Sequence, residues 1–464
     1  MTHTQDASPD QQPPAVDHSA VPRIGEVLRF SLPLMLGLMT TALNTFVDTL
    51  FIGQLGISPL AAVPLAGMIY LVGWVLVLGV MRNAIAFCAR AHGAGRHREI
   101  GRILAHYHWI ALAGLPLLWI YVQGWPIFTR LGNLSPEVAA IGGAYLNIRV
   151  WDVLFAQLVA LYSAFYQSTG NSRFPMLVNV GVVVSNIVLD YLLIFGHFGF
   201  PALGVEGSAL ATVLAQAMGA ALILATSFLG PMRRRYALRP ILWPERGLTR
   251  DILRVGIPQG LGDLVELAAW GGFMLIVGWL GEKALAASNI GVQVTSLLYM
   301  PGFAFGMAAA SYTGRLLGAE RPDVARITAR RIVRLGVGYM ALMGLPLWFF
   351  GETLASLFTT DTEVIHLAGL MFKIMAAYQA FDGLGFITRT ALTGAGDTLI
   401  PTLALAACAV GVLYPAAWGL THLVEPPMVG AWLGAFLYML VYAFVMHLRF
   451  RSGAWLAIRL TGAP

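Results

Sequence analysis

A chain of 464 residues in which 58% of the side chains are hydrophobic and 11% are charged has too few polar groups to cover separate soluble domains. The formal net charge of +6 comes from arginines clustered between apolar runs, which reads as membrane topology and argues against nucleic-acid contact. There is no GxxxxGK[ST] phosphate loop and no HExxH, CxxC or GxSxG motif, so the chain is expected not to be an enzyme, to need no cofactor and to draw energy from an ion gradient.

Residues 1–22 are polar and proline-rich with no basic region ahead of the first apolar run, and read as a disordered cytoplasmic tail, not a signal peptide. Apolar runs able to span a bilayer follow at approximately 27–52, 63–89, 104–126, 138–168, 174–196 and 204–230, then 255–280, 284–314, 335–351, 365–393, 399–421 and 428–448. The predicted fold is an all-α membrane protein of about twelve helices. One six-helix lobe lies within 23–230, a cytoplasmic loop covers 231–250, a second lobe covers 251–450, and 451–464 form a cytoplasmic tail.

Basic residues orient this arrangement. Arg23, Arg29, Arg173, Arg389, Arg449 and the runs 90–102, 233–254 and 315–334 fall on one side, whereas Arg130 and Lys283 fall in loops on the other. Both termini are therefore expected on the cytoplasmic side of the cytoplasmic (inner) membrane. Trp125, Trp279, Trp348 and Trp455 near span ends suit an interfacial belt, and Cys88 and Cys408 lie in apolar spans, so neither a disulfide nor a metal site is indicated.

The two halves repeat each other. SLPLMLGLMTTALNTFVDTLFIGQLGISPLAA from Ser31 aligns without a gap on GIPQGLGDLVELAAWGGFMLIVGWLGEKALAA from Gly256, placing Pro33 on Pro258 and Gly37 on Gly262. The register continues through Arg90 and Gly93 on Arg315 and Gly318, and after one insertion Gly170 and Pro175 fall on Gly396 and Pro401. An even number of spans per repeat relates the copies by a pseudo-two-fold axis along the membrane normal. Pro33, Pro258 and Pro301 are candidate bend points within their spans.

Ionisable groups inside a bilayer are costly and point to function. Asp48 has Asn44 one turn earlier on the first span, and Asn186 and Asp190 share a face of the fifth. With the hydroxyl of Thr212 on the sixth span, these groups can surround a proton or a small hard cation such as Na⁺ with oxygens. In the second repeat Asp263 and Glu266 lie on the seventh span, and Asp382 follows Tyr378 by one turn on the tenth. Arg149 and Asp152 are spaced to pair, Lys373 to snorkel outward, and Arg82 to reach the cytoplasmic loop or a carboxylate.

Residues 24–450 resemble the multidrug and toxic compound extrusion (MATE) family of secondary transporters. The resemblance is carried by FVDTLFIGQLG, TGNSRFP, NIVLDYLLIFG, GVEGSALAT, GIPQGLGDLVEL and YQAFDGLGFITRTALTGAGDTLIP. It implies two six-helix lobes forming a V around a central cavity. It also implies export of amphipathic, often cationic compounds in exchange for H⁺ or Na⁺, with no other cofactor, by a chain expected to act as a monomer in the bilayer. On the same comparison Asp48, Asn186, Asp190 and Thr212 match a DinF-like amino-lobe cation site, and Glu266 and Asp382 a NorM-like carboxyl-lobe acidic site. A flippase for a lipid-linked or amphipathic metabolite is the alternative, although such proteins typically need a cationic cavity. The charged stretch GVMRNAIAFCARAHGAG departs from the family pattern, and Arg82 there would restrict the cavity or favour a less cationic substrate.

Overall fold

The computed structural model describes residues 21–239 and 243–460, and the described residues are helical, with no strand. Helix α1 (Ile24–Gly53) runs through Pro33 and is followed by α2 (Ile57–Arg82) and α3 (Ala84–Gly93), which make one span interrupted at Asn83. Next come α4 (His97–Val122), the short α5 (Trp125–Leu131), and α6 (Pro136–Arg149) with α7 (Asp152–Ser168), a pair bent by 48°. Arg149 and Asp152 close that bend as an ion pair, and the Tyr70 hydroxyl donates to Asp152 Oδ2 at 3.0 Å. The first half ends with α8 (Arg173–Phe195) and α9 (Gly204–Leu229).

After α10 (Pro231–Arg235), the second half contains α11 (Arg246–Trp279), α12 (Glu282–Gly318), α13 (Pro322–Ser356) and α14 (Thr362–Gly394). It closes with α15 (Leu399–Cys408) and α16 (Tyr414–Thr421), joined through a π-helical turn at Ala409–Leu413, and then α17 (Pro427–Ser452). Eleven of the described helices are long and apolar enough to cross a membrane, or twelve if the bent α6–α7 pair is one span. Several outrun their apolar runs. Helix α11 begins at Arg246 because Arg250 and Arg254 can extend into water while the backbone keeps its helical hydrogen bonds.

Each repeat builds a core, and the cores exchange helix ends. Val27, Phe30 and Leu34 of α1 pack into the carboxyl-terminal core with Phe305, Phe372 and Trp432. Leu248 and Ile252 of α11, at the matching end of the second repeat, pack into the amino-terminal core with Tyr107 and Phe165. The crossed packing brings α1 against α12 and α11 against α2. It needs glycine where the backbones meet: a Cβ on Gly260 would lie 2.2 Å from the Leu76 carbonyl oxygen.

At the arginine-rich end, α3 meets α12 directly. A Cβ on Gly93 would fall 1.8 Å from the Arg315 carbonyl oxygen, and one on Gly318 would fall 2.0 Å from that of Arg90. These glycines and arginines are partners in the sequence repeat, so the contact is the pseudo-two-fold axis itself. Arg90 continues across it, donating to the Ala395 carbonyl at 3.4 Å and to the Ile458 carbonyl at 2.6 Å. Ser311 on α12 donates to the Gln167 carbonyl at 2.8 Å. These ties close that end of the molecule, whereas α1 between Leu38 and Phe51 has no buried residue.

Two of the four predicted belt tryptophans need correction. Trp279 and Trp348 are exposed, as a bilayer-facing position requires, but Trp455 is fully buried with its indole N–H on the Phe450 carbonyl, and Trp125 is buried with its N–H on Ala139. Both sit at chain reversals, where a large ring with one donor fills the corner and satisfies a freed carbonyl. Pro33 and Pro258 lie inside continuous helices. The carbonyl of Pro258 accepts from Thr402 at 2.7 Å and that of Val255 from Thr398 at 2.8 Å, so a hydroxyl of the TGAGDTLIP segment and the one just after it satisfy backbone beside the proline.

Candidate functional site

The amino-lobe residues converge where α1 crosses α8. Asn44 Nδ2 donates to Asp48 Oδ2 at 2.9 Å within α1 and to Asn186 Oδ1 at 2.7 Å on α8. One turn beyond Asn186, Asp190 is fully buried and faces Asp48. Among the described residues, Asn44 Oδ1, Asp48 Oδ1, Asn186 Nδ2 and both Asp190 carboxyl oxygens are buried without a hydrogen-bond partner. Such a concentration of unmet groups is rare in a folded protein, since each costs about 1–3 kcal/mol. Two enclosed carboxyls this close cannot both be ionised without a shared proton or a cation between them, and four unmet oxygens suit either.

The Thr212 hydroxyl donates to the Ser208 carbonyl at 3.1 Å, and Ser208, one turn earlier on the same face of α9, is a side chain that approaches Asp190.

The carboxyl-lobe residues form a different kind of site. Asp263 and Glu266 on α11 both bond the guanidinium of Arg389 on α14: Nη2 donates to Asp263 Oδ1 at 2.7 Å, and Nη1 donates to Glu266 Oε2. Gln259 Nε2 adds a bond to Asp263 Oδ1 at 3.0 Å. Arg389 is only 3% exposed, which corrects its expected place among the cytoplasmic arginines. It lies two turns beyond Asp382 on the inward face of α14, and its long stem turns back into the lobe rather than out to water. Asp382 receives no hydrogen bond among the described residues. It lines a pocket of about 270 Å³ with Glu266, Trp270, Tyr299, Tyr378, Arg389, Tyr438 and Tyr442.

Between the lobes lies a second cavity of about 500 Å³. Trp74, Arg82, Asn83, Gln167, Asn179 and Gln216 wall it from the amino lobe, and Gln259, Asp263, Glu266, Phe303 and Thr393 from the carboxyl lobe. Glu266, Tyr299, Phe386 and Arg389 border both spaces. Asp48 and Asp190 line neither.

The sequence matches the MatE family over residues 33–192 and 272–418. It is 31% identical over 450 residues to a probable multidrug resistance protein NorM of Bradyrhizobium diazoefficiens, covering 94% of both chains. The chain belongs to the MatE family. A second relative, a probable multidrug resistance protein NorM of Thermotoga maritima, is 28% identical and covers 93% of this chain and 92% of its own. The crystal structure of the Vibrio cholerae MATE transporter VcmN in the bent form has the same fold, with a TM-score of 0.84 at 21% identity over 92% of this chain and 96% of that one. This MatE protein is therefore an integral membrane transporter and not an enzyme.

Within the MatE fold, one feature escaped the sequence reading: Arg389 was hidden among the many arginines near span ends, and its i, i+7 spacing from Asp382 was the available signal. Arg82, expected at the cavity or a carboxylate, lines the inter-lobe cavity with nearly half of its side chain open and Asp263 Oδ2 4.0 Å away.

Proposed function

We propose that this chain is a multidrug efflux transporter of the cytoplasmic membrane, acting as a monomer with both termini in the cytoplasm. It exports amphipathic, often cationic compounds in exchange for H⁺ or Na⁺. The observation that carries this reading is the separation of two acidic sites: an enclosed Asp48–Asp190 pair in one lobe, and in the other Asp263 and Glu266 on the inter-lobe cavity with Asp382 in the adjoining pocket.

Asp48 and Asp190, with Asn44 and Asn186, hold the coupling ion; Thr212 supports them only through its own helix. Glu266, Asp382, Tyr378 and Asp263 shape the substrate pocket. Helix α1 connects the two tasks, because it carries Asp48 towards one end and inserts Phe30 and Leu34 into the opposite lobe's core towards the other. Ion loading changes the balance at the α1–α8 crossing, and α1 passes that change to the lobe interface, so the lobes rock and the cavity alternates between the two sides. Pro33 and Pro258 sit where α1 and α11 enter the opposite lobe, and serve as pivots of that motion.

The relatives' names, probable multidrug resistance proteins, support export of diverse compounds. Everted membrane vesicles loaded with a fluorescent amphipathic cation test the exchange. An imposed pH or Na⁺ gradient is expected to drive dye movement, and movement indifferent to both gradients would contradict antiport.

A further inference from the structure

The segment after α17, expected from the sequence to be a cytoplasmic tail, is packed along its described length. The chain reverses at Gly453 with φ 70°, makes one 3-10 turn at Ala454–Ala457 and is extended at Ile458. Trp455 fastens it to the carboxyl lobe: the ring is fully buried, stacked on Phe450 at 5.1 Å between centroids, with its N–H on the Phe450 carbonyl. Beyond it exposure alternates, with Ala457 and Arg459 exposed and Ile458 and Leu460 half-buried. Ile458 packs on the carboxyl-terminal core, but Leu460 packs on the amino-terminal one, in a small gap shared with Phe87, Ile103 and Leu248.

Leu460 is thus wedged between the lobes. On its other side lies the Gly396 turn of TGAGDTLIP, where a Cβ would come within 2.6 Å of Leu460 Cδ2. The Ile458 carbonyl accepts from Arg90 Nη1 at 2.6 Å, so the tail also grips α3 beside its contact with α12. Two extended residues span at most about 7 Å, and the lobes cannot part far at this end while Ile458 and Leu460 both stay seated. The two attachments are unequal: a fully buried tryptophan at the carboxyl lobe, and a half-buried leucine with one backbone carbonyl at the amino lobe. A strap fixed at one end and lightly held at the other is built to release. We propose that residues 454–460 are a latch on the arginine-rich end, with Trp455 as anchor and Leu460 as catch, and that the cavity opens on that side only when Leu460 leaves the amino lobe. This rests on the alternating-access part of the export reading and adds the element that guards one of its two states.

Spin labels on Arg98→Cys of α4 and Asp323→Cys of α13, both exposed and equivalent in the repeat, measure the separation of the lobes at this end by double electron–electron resonance. The buried native cysteines, Cys88 and Cys408, are replaced by Ala in the full-length chain. Leu460→Asp puts a charge into the apolar catch and is expected to raise the fraction of the longer separation at least about fivefold. Arg459→Asp, which adds the same charge on the exposed side, is expected to leave the distribution unchanged. An unaltered distribution in folded Leu460→Asp, checked by thermal unfolding, would overturn the latch, as would an equal rise in Arg459→Asp. Where Leu460→Asp does not fold, Leu460→Cys joined to Ile103→Cys by a short reducible bis-thiosulfonate decides the matter. The bridged protein in proteoliposomes is expected to lose at least about tenfold of its gradient-driven dye movement and to regain it on reduction. Movement at the unbridged rate would overturn the proposal. Export is scored separately: a shifted distance distribution in a protein that moves no dye under either gradient would refute export and leave the latch standing.

Discussion

The two lobes share a backbone plan and solve the problem of buried acid in opposite ways. In the amino lobe, Asp48 and Asp190 face each other with oxygens unmet and no arginine bonded to them. In the carboxyl lobe, Asp263 and Glu266 are tied to Arg389, and only Asp382 is left free of hydrogen bonds among the described residues. The repeat makes the contrast sharp: Asp48 aligns with Phe273 and Glu266 with Thr41. The copies share the frame of crossed helices, and the polar residues sit at positions where they differ. The proposed roles fit this contrast: a site that exchanges its ion leaves carboxyl oxygens unbonded, whereas a site that stays shaped for cargo carries its own counter-charge.

Removing one member of the arginine-bonded set is the harshest way to break this comparison. Arg389→Leu would strand Asp263 and Glu266 without their partner, and a loss of about 3–5 kcal/mol of stability is expected, read as a lowered unfolding temperature in detergent. Adding Glu266→Gln to that variant should recover part of the loss, which an Arg389 acting only through its size would not allow. The amino-lobe pair should respond the other way. Asp190→Asn is expected to leave the unfolding temperature unchanged or raised, because it replaces an enclosed carboxyl that has no donor with a neutral group of equal shape.

Milder changes sharpen the frame. Gly318→Val places side-chain atoms where the Arg90 carbonyl stands and should force α3 and α12 apart at the arginine-rich end. A cysteine introduced at Thr393 on the cavity wall would then react faster with an impermeant thiol reagent added from that side. Smallest of all, Thr402→Val removes the bond to the Pro258 carbonyl and is expected to cost about 1 kcal/mol in the same unfolding assay.

The frame was readable in the sequence because it rests on long-range regularities. Apolar runs marked the spans, the constant offset between the halves gave the symmetry, and one-turn spacing placed Asn44 with Asp48 and Asn186 with Asp190 on common faces. What escaped depends on which way a long side chain turns. Arg389 and Arg98 look alike as letters near a span end, yet one is enclosed by two acids and the other is exposed in the first turn of α4. The exchange of helix ends between cores was also invisible, since a repeat records which segments are equivalent and not which lobe each one enters. Thr212 shows the finer limit: its hydroxyl bonds the Ser208 carbonyl, and Ser208, one turn earlier on the same face and approaching Asp190, was not singled out from the sequence.

The central claim, that the enclosed amino-lobe pair couples the ion while the arginine-bonded carboxyl lobe holds cargo, has one direct test. Proteoliposomes containing either wild-type protein or Asp190→Asn are compared for substrate binding and for accumulation against an imposed pH or Na⁺ gradient. The account predicts that Asp190→Asn binds the same dye within about twofold but no longer concentrates it. A variant that still builds a gradient-driven concentration difference equal to that of the wild type would contradict it.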